Sequence, residues 1–251
     1  MFKKLSVGLT ALAAVTLGVY LRFIRPWQLR WGATDEEVAR AMPGDDVVEQ
    51  PTLNATRAVT IQARPEQIWP WLVQMGGTRA GWYSYDWIDN LGRPSADRII
   101  PELQHVAVED FIPMAPIGKM GYWVRAVEPN QWMLWWANKG DVTWSWGLYP
   151  QDDSRTRLIT RLRIQYRWTK PSILFSLPLD VGDIVMMRRC LLGIKQRAER
   201  ASRQTPEPAG ATALLPPAPI LSEVLRLLPC GHEQRAPTAH CCSVCGAPIP
   251  P

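Results

Sequence analysis

The sequence predicts an α+β fold in which an antiparallel sheet packs against one long, late helix. Three observations carry this: three strand-length segments with turn residues between them over 121–149, a strict alternation over 156–168, and a helical stripe over 181–202. Strands that follow one another through tight reversals pair antiparallel, and a helix with one apolar face needs a sheet to cover it.

Taken in order, residues 5–21 carry no charge and lie between Lys3-Lys4 and Arg22, Arg25 and Arg30. At about 1.5 Å per residue this run reaches about 25 Å, enough for an uncleaved single-pass anchor within residues 1–30. A cleavable signal peptide is the rival, since Ala11-Leu12-Ala13-Ala14 offers small residues, but the apolar run continues past them to Arg22. Thr34-Asp35-Glu36-Glu37 reads as a capping box opening a short helix to about Met42, where Pro43-Gly44 closes it, so 31–53 is a short helix and connector. Residues 57–63 alternate as a strand, with Val59 and Ile61 on one face and Ala58, Thr60 and Gln62 on the other. Pro65 suits a first helical turn, Ile68, Leu72 and Met75 recur at helical spacing, and Gly76-Gly77 ends the helix. Residues 82–91 read as a second helical stretch.

Strands are predicted over 121–127, 131–137 and 142–149, joined through Glu128-Pro129-Asn130 and Asn138-Lys139-Gly140-Asp141. Over 156–168, Leu158, Thr160, Leu162, Ile164, Tyr166 and Trp168 alternate with a face carrying Arg157, Arg161, Arg163 and Arg167. The apolar face is expected to cover a core and the basic face to meet solvent or anionic lipid head groups. Ile184, Met187, Leu191, Ile194 and Ala198 mark the buried stripe of the last helix. A Pro/Ala-rich linker follows over 203–219, and 220–251 is a small unit of its own.

Composition bounds the function. Hydrophobic residues make up 47% of the 251, enough for a real core. The net charge of +5 comes from arginines spread along the chain rather than one basic block, which argues against nucleic-acid binding. Of thirteen tryptophans, most fall between Trp69 and Trp168, so large rigid apolar surface is concentrated in the central domain. Four of five cysteines fall in the last 22 residues, a local feature rather than a disulfide framework.

The segments Ile61-Gln62-Ala63-Arg64-Pro65-Glu66-Gln67-Ile68-Trp69, Leu72-Val73-Gln74-Met75-Gly76 and Gly81-Trp82-Tyr83-Ser84-Tyr85-Asp86, with the long closing helix, resemble the SRPBCC superfamily of START-like and polyketide-cyclase-like proteins. The resemblance covers about residues 54–202. It implies a helix-grip fold, a curved antiparallel sheet around the C-terminal helix. In relatives the cavity between them takes lipids, sterols, polyketides or plant hormones. It implies no shared catalytic residues, and fold alone does not give function.

Trp82, Tyr85 and Asp86 either line a cavity mouth or pack and cap the helix. Trp132 and Trp136 share one strand face with Leu134, as Trp144 and Trp146 share one on the next strand, and together they are expected to form a tryptophan wall facing one side, toward a filled core or an open pocket. His105, the one histidine of the domain, reads as a surface residue, leaving Asp86 without an evident acid–base partner. In the tail, Cys230, His232, Cys242 and Cys245 have the types and spacing of a structural zinc site resembling a zinc-ribbon end, although Leu227 stands where a ribbon's first cysteine is expected. A closed site of this kind serves protein contacts. The sequence therefore reads as a membrane-tethered, non-enzymatic binder of a hydrophobic small molecule, its main domain cytoplasmic by the reduced cysteines. A cyclase or dehydratase in the same cavity and a ligand-free scaffold are the alternatives.

Overall fold

The computed structural model describes residues 12, 14–116, 120–137, 140–166 and 173–204, with side chains of the last helix described from 182 onward. One compact unit spans Met1–Pro206; the second, Glu207–Pro251, lies outside the described residues, as do the zinc-site residues predicted in it. A helical run from residue 14 passes through a π-helical turn, Tyr20–Ile24, into α1, Arg25–Leu29. No described helix is long and apolar enough to cross a membrane, and part of the predicted span, residues 5–11 and 13, lies outside the described residues.

The predicted capping box is present at α2, Asp35–Ala39: the Glu37 amide donates to Thr34 Oγ1 at 3.2 Å, and the Thr34 amide donates to Glu37 Oε2 at 2.8 Å. Strand β1 runs Leu53–Ile61, and α3, Pro65–Val73, starts on Pro65 as read. The second helical stretch shrinks to α4, Asp86–Asp89. Strand β2, Phe111–Pro113, is new; its three residues sit in a loop without periodicity and pair with β3. The meander then follows as β3, Gly121–Glu128, β4, Trp132–Ala137, β5, Val142–Asp152, and β6, Arg155–Ile164. The last helix, α5, runs Ile173–Gln204, eight residues longer at its start than predicted. The helix carries Pro178, which lies before the predicted start, as well as Gly182.

The six strands form one antiparallel sheet in the order β1-β6-β5-β4-β3-β2, curved against α5, which is the predicted α+β, helix-grip arrangement. Its inner face buries Ile61, Val124, Met133, Trp135, Trp146 and Leu158 against the helix stripe of Met187, Leu191, Ile194 and Ala198. The stripe is the one the sequence marked.

The basic face of β6 is not solvated, contrary to expectation. Residues 31–50 cross the outer face as a strap, and the arginines hold it. Arg157 binds Glu37 at 2.6 Å, Arg161 binds Asp45 at 2.6 Å, and Arg163 binds Asp45 at 3.1 Å. Arg161 also donates to the carbonyls of Glu37, Val38 and Arg40, and Arg163 to that of Val48. Arg161 keeps only 3% of its surface. Arg167 lies outside the described residues. Met42 packs with Ala58 and Ile159 beneath the strap, and Gly44, at φ +89°, brings its backbone against Leu134 and Thr143 where a side chain would collide.

The free edge of β1 is occupied as well. The Ala58 amide donates to the Trp31 carbonyl, the Thr60 carbonyl accepts from Lys195 Nζ, and the Gln62 amide donates to Glu199.

Candidate functional site

Alternation on three neighbouring strands decides which aromatics meet. Register pairs Trp135 with Trp144 and Met133 with Trp146, and places Tyr122 and Val124 on the same inner face. Trp132, Leu134 and Trp136 therefore point the other way, opposite Gly147, Ser145 and Thr143. The single wall read from sequence splits in two: Trp144 and Trp146 belong inside, whereas Trp132 and Trp136 are half-buried on the outer face, where Arg125 lies over the Trp136 ring. Each strand was internally consistent; the sequence carried no register to say that β4 offers its odd-numbered residues where β5 offers its even ones.

The inner wall is an aromatic cluster. Trp82 stacks on Trp144 with centroids 5.7 Å apart, Tyr122 meets Trp144 edge-on at 5.2 Å, and Trp135 contacts Trp82, Trp144 and Trp146 at 5.5–6.1 Å. Trp82 reaches this place because its indole N–H donates to the Met114 carbonyl at 2.8 Å. Burial is graded. Trp135 and Trp146 are fully covered, while Trp82, Tyr122 and Trp144 each keep 7% and Leu162 keeps 9%. The less covered row lies at the end of β6 from which the chain passes to the start of α5, so any opening is at that end.

Polar groups at the sheet–helix junction were missed in the sequence. Arg57, 2% exposed, stands on the inner face of β1 beside Thr160, which pairs in turn with Trp146. Its Nε donates to the Gln28 carbonyl at 2.9 Å and its Nη1 to Asp183 at 2.5 Å. Its Nη2 is buried with no partner, and so are the indole N–H groups of Trp135 and Trp146. Trp144 differs, because its N–H donates to Thr160 Oγ1 at 2.8 Å. Burial pushes the Tyr122 phenol well up, with the nearby Asp183 carboxylate adding to it. The Cys190 thiol is pushed up too, first by burial and then by Asp89, which leaves it protonated and unreactive. The signal for Arg57 was present, since it shares the period-two face of Val59 and Ile61 and is the one charge among core positions.

The remaining predicted residues do other work. Asp86 accepts from Ser95 Oγ at 2.6 Å and from Asn90 at 3.0 Å, tying the loop around α4, while Tyr85 is exposed. His105 is exposed in its loop and is not joined to Asp86 by any described bond. Among the described residues no group of three or more His, Cys, Asp or Glu could hold a metal. A solvent-open depression of about 350 Å³ lies at the far end of the strap, between Val47, Glu49, Asp141 and Gln165, outside the sheet–helix interior.

No family model and no curated protein matches the chain. Solved structures do. The chain is similar to a Polyketide_cyc-like protein from Corynebacterium glutamicum at 16% identity and TM-score 0.37, covering 57% of this chain and 89% of that one. It is similar to a conserved protein of unknown function from Enterococcus faecalis at 12% identity and TM-score 0.34, covering 65% and 96%. A protein from Mesorhizobium loti follows at 18% identity and TM-score 0.35, covering 58% and 97%. The fold assignment rests on the strand order and the closing helix of this chain itself; likenesses of this strength carry nothing about ligand or activity.

Proposed function

We propose that this chain binds or carries a hydrophobic small molecule between the inner tryptophan wall and α5, and that its N-terminal segment tethers it to a membrane. The observation that carries the first part is the set of buried donors without acceptors, Arg57 Nη2 and the indole N–H groups of Trp135 and Trp146, set in an otherwise apolar aromatic surface. A buried donor left unpaired costs about 1–3 kcal/mol, so a largely apolar guest with one or two acceptor oxygens is the partner this surface favours. The tether is supported by a helical run whose apolar side chains are exposed on every side, among them Val15, Leu17, Val19, Leu21 and Phe23.

Native mass spectrometry of the detergent-extracted full-length protein tests the binding. A retained organic mass, or uptake from a lipid and polyketide panel, supports the proposal; no adduct and no uptake overturns it. The same experiment with a chelator reads whether Cys230, His232, Cys242 and Cys245 hold one zinc, as a small protein-contact module would.

A second reading, a cyclase or dehydratase in the same place, would draw on the buried Tyr122 phenol, held protonated first by burial and then by the Asp183 carboxylate. Replacing Tyr122 by Phe separates the two, because a carrier keeps its uptake whereas an enzyme binds and fails to turn over.

A further inference from the structure

The short helix α4 and the turn after it expose an apolar tip that nothing in the interior uses. Trp87 is 74% exposed, Leu91 57% and Ile88 42%, and Tyr85 stands beside them. Four large apolar or amphipathic side chains within seven residues, all facing outward, are not the scattered apolar exposure ordinary on a soluble surface. The loop beneath them is tied by hydrogen bonds. Asp86, Asn90 and Ser95 are bonded to one another, and Ser84 Oγ donates to the Met186 carbonyl of α5 at 3.0 Å.

The same stretch of α5 receives the base of the N-terminal helix. Arg57 joins the Gln28 carbonyl to Asp183, and Arg188 lies over the Trp31 ring at 5.4 Å. Residues 183–188 of α5 thus contact both the root of the tether and the α4 loop. Beside the tip in sequence stands the exposed Arg93, α4 itself carries the carboxylates of Asp86 and Asp89, and the tether adds Arg22. Aromatic and aliphatic tips match the boundary between head groups and acyl chains, where indole rings find both apolar and polar surroundings.

We propose that the α4 tip, Trp87, Ile88 and Leu91, is a second membrane contact that seats in the interface of the same anionic bilayer as the tether. The proposal rests on the tether reading. Two contacts a fixed distance apart on α5 hold the domain in one orientation, with the start of α5 and the less covered row of the aromatic wall toward the lipid.

The test places single nitroxide labels on the full-length protein in phosphatidylcholine–phosphatidylglycerol vesicles. The sites are Trp87→Cys, Leu17→Cys on the tether and Ser154→Cys on the exposed β5–β6 turn, with the tail cysteines replaced by serine. Cys190 stays, since it is buried and its thiol protonated. Collision with a water-soluble relaxer at position 87 is expected to fall about five-fold below that at 154, with collision by oxygen raised, as at 17. A label at Leu91→Cys repeats the reading independently of Trp87. If positions 87 and 91 are as water-accessible as 154 while 17 is shielded, the tether stands and this proposal is overturned. If 17 is water-accessible too, both fall.

Discussion

Arg57 shows at the residue scale how one position ties together elements far apart in sequence. A guanidinium 2% exposed meets Asp183, which keeps 24% of its side-chain surface, and the Gln28 carbonyl, so β1, α1 and α5 share one side chain. Removing one member of a buried pair leaves the other uncompensated, at a cost of about 3–5 kcal/mol for full burial. Arg57→Ala is therefore expected to lower unfolding stability by about 3 kcal/mol in a denaturant titration, and Asp183→Asn by less because that carboxylate reaches water. Gly44 gives a second residue-scale expectation. Its φ of +89° and the Leu134 methyl in its path make Gly44→Ala cost about 1–3 kcal/mol, read by the same titration. Neither residue stood out in the sequence for the reason that matters. Gly44 was read as a helix stop, and Arg57 as part of an ordinary strand, because the groups that decide their roles, Leu134 and Thr143 for Gly44 and Asp183 for Arg57, are distant in sequence.

At the scale of elements, the strap is the feature the sequence concealed. Its capping box was legible, since the contacts of a cap are local, three residues apart. The purpose of the arginine face of β6 was not, because alternation cannot distinguish a face meeting water from a face meeting another segment of the same chain. Burial works against the Glu37 charge, yet hydrogen bonds from Arg157 and the Thr34 amide outweigh it and hold the carboxyl below its ordinary value. A depressed folded-state value gives stability that is present above the unfolded value of about 4.5 and is lost as pH falls through the folded one. The strap is accordingly expected to loosen below about pH 4.5, seen as faster amide exchange over 32–50 while the sheet stays protected, and Glu37→Gln should remove that step. A double-mutant cycle on Glu37 and Arg157 is expected to return about 2 kcal/mol of coupling; a value near zero would show the pair to be a surface contact only.

For the molecule as a whole, the order of elements was readable and the closing of the sheet was not. Hairpin neighbours β3, β4, β5 and β6 follow from turn residues, but β1 completes the sheet by pairing with β6 across about a hundred residues, Leu53 opposite Ile164 and Ile61 opposite Thr156. A pairing of that separation must wait until the chain between is ordered. Refolding of the unit is therefore expected on the millisecond-to-second scale, with the β3–β6 meander protected from amide exchange before β1; simultaneous protection would count against this order. The same distance explains the partial reading of the site. The tryptophans were visible one strand at a time, whereas the inner wall exists only once three registers are set.

The occupied outer edge of β1 has a consequence for the life of the protein outside its native setting. A strand with unpaired amides and carbonyls is a template on which another chain can add. Here the Ala58 amide is taken by the Trp31 carbonyl, a group belonging to the segment that leads to the N-terminal helix. A protease that cut between Trp31 and Leu53 would leave that segment, and the strap with it, held by non-covalent contacts alone and free to exchange off the edge. The clipped product would be self-associating as well as less stable, and its first sign in storage or purification would be turbidity rather than loss of secondary structure.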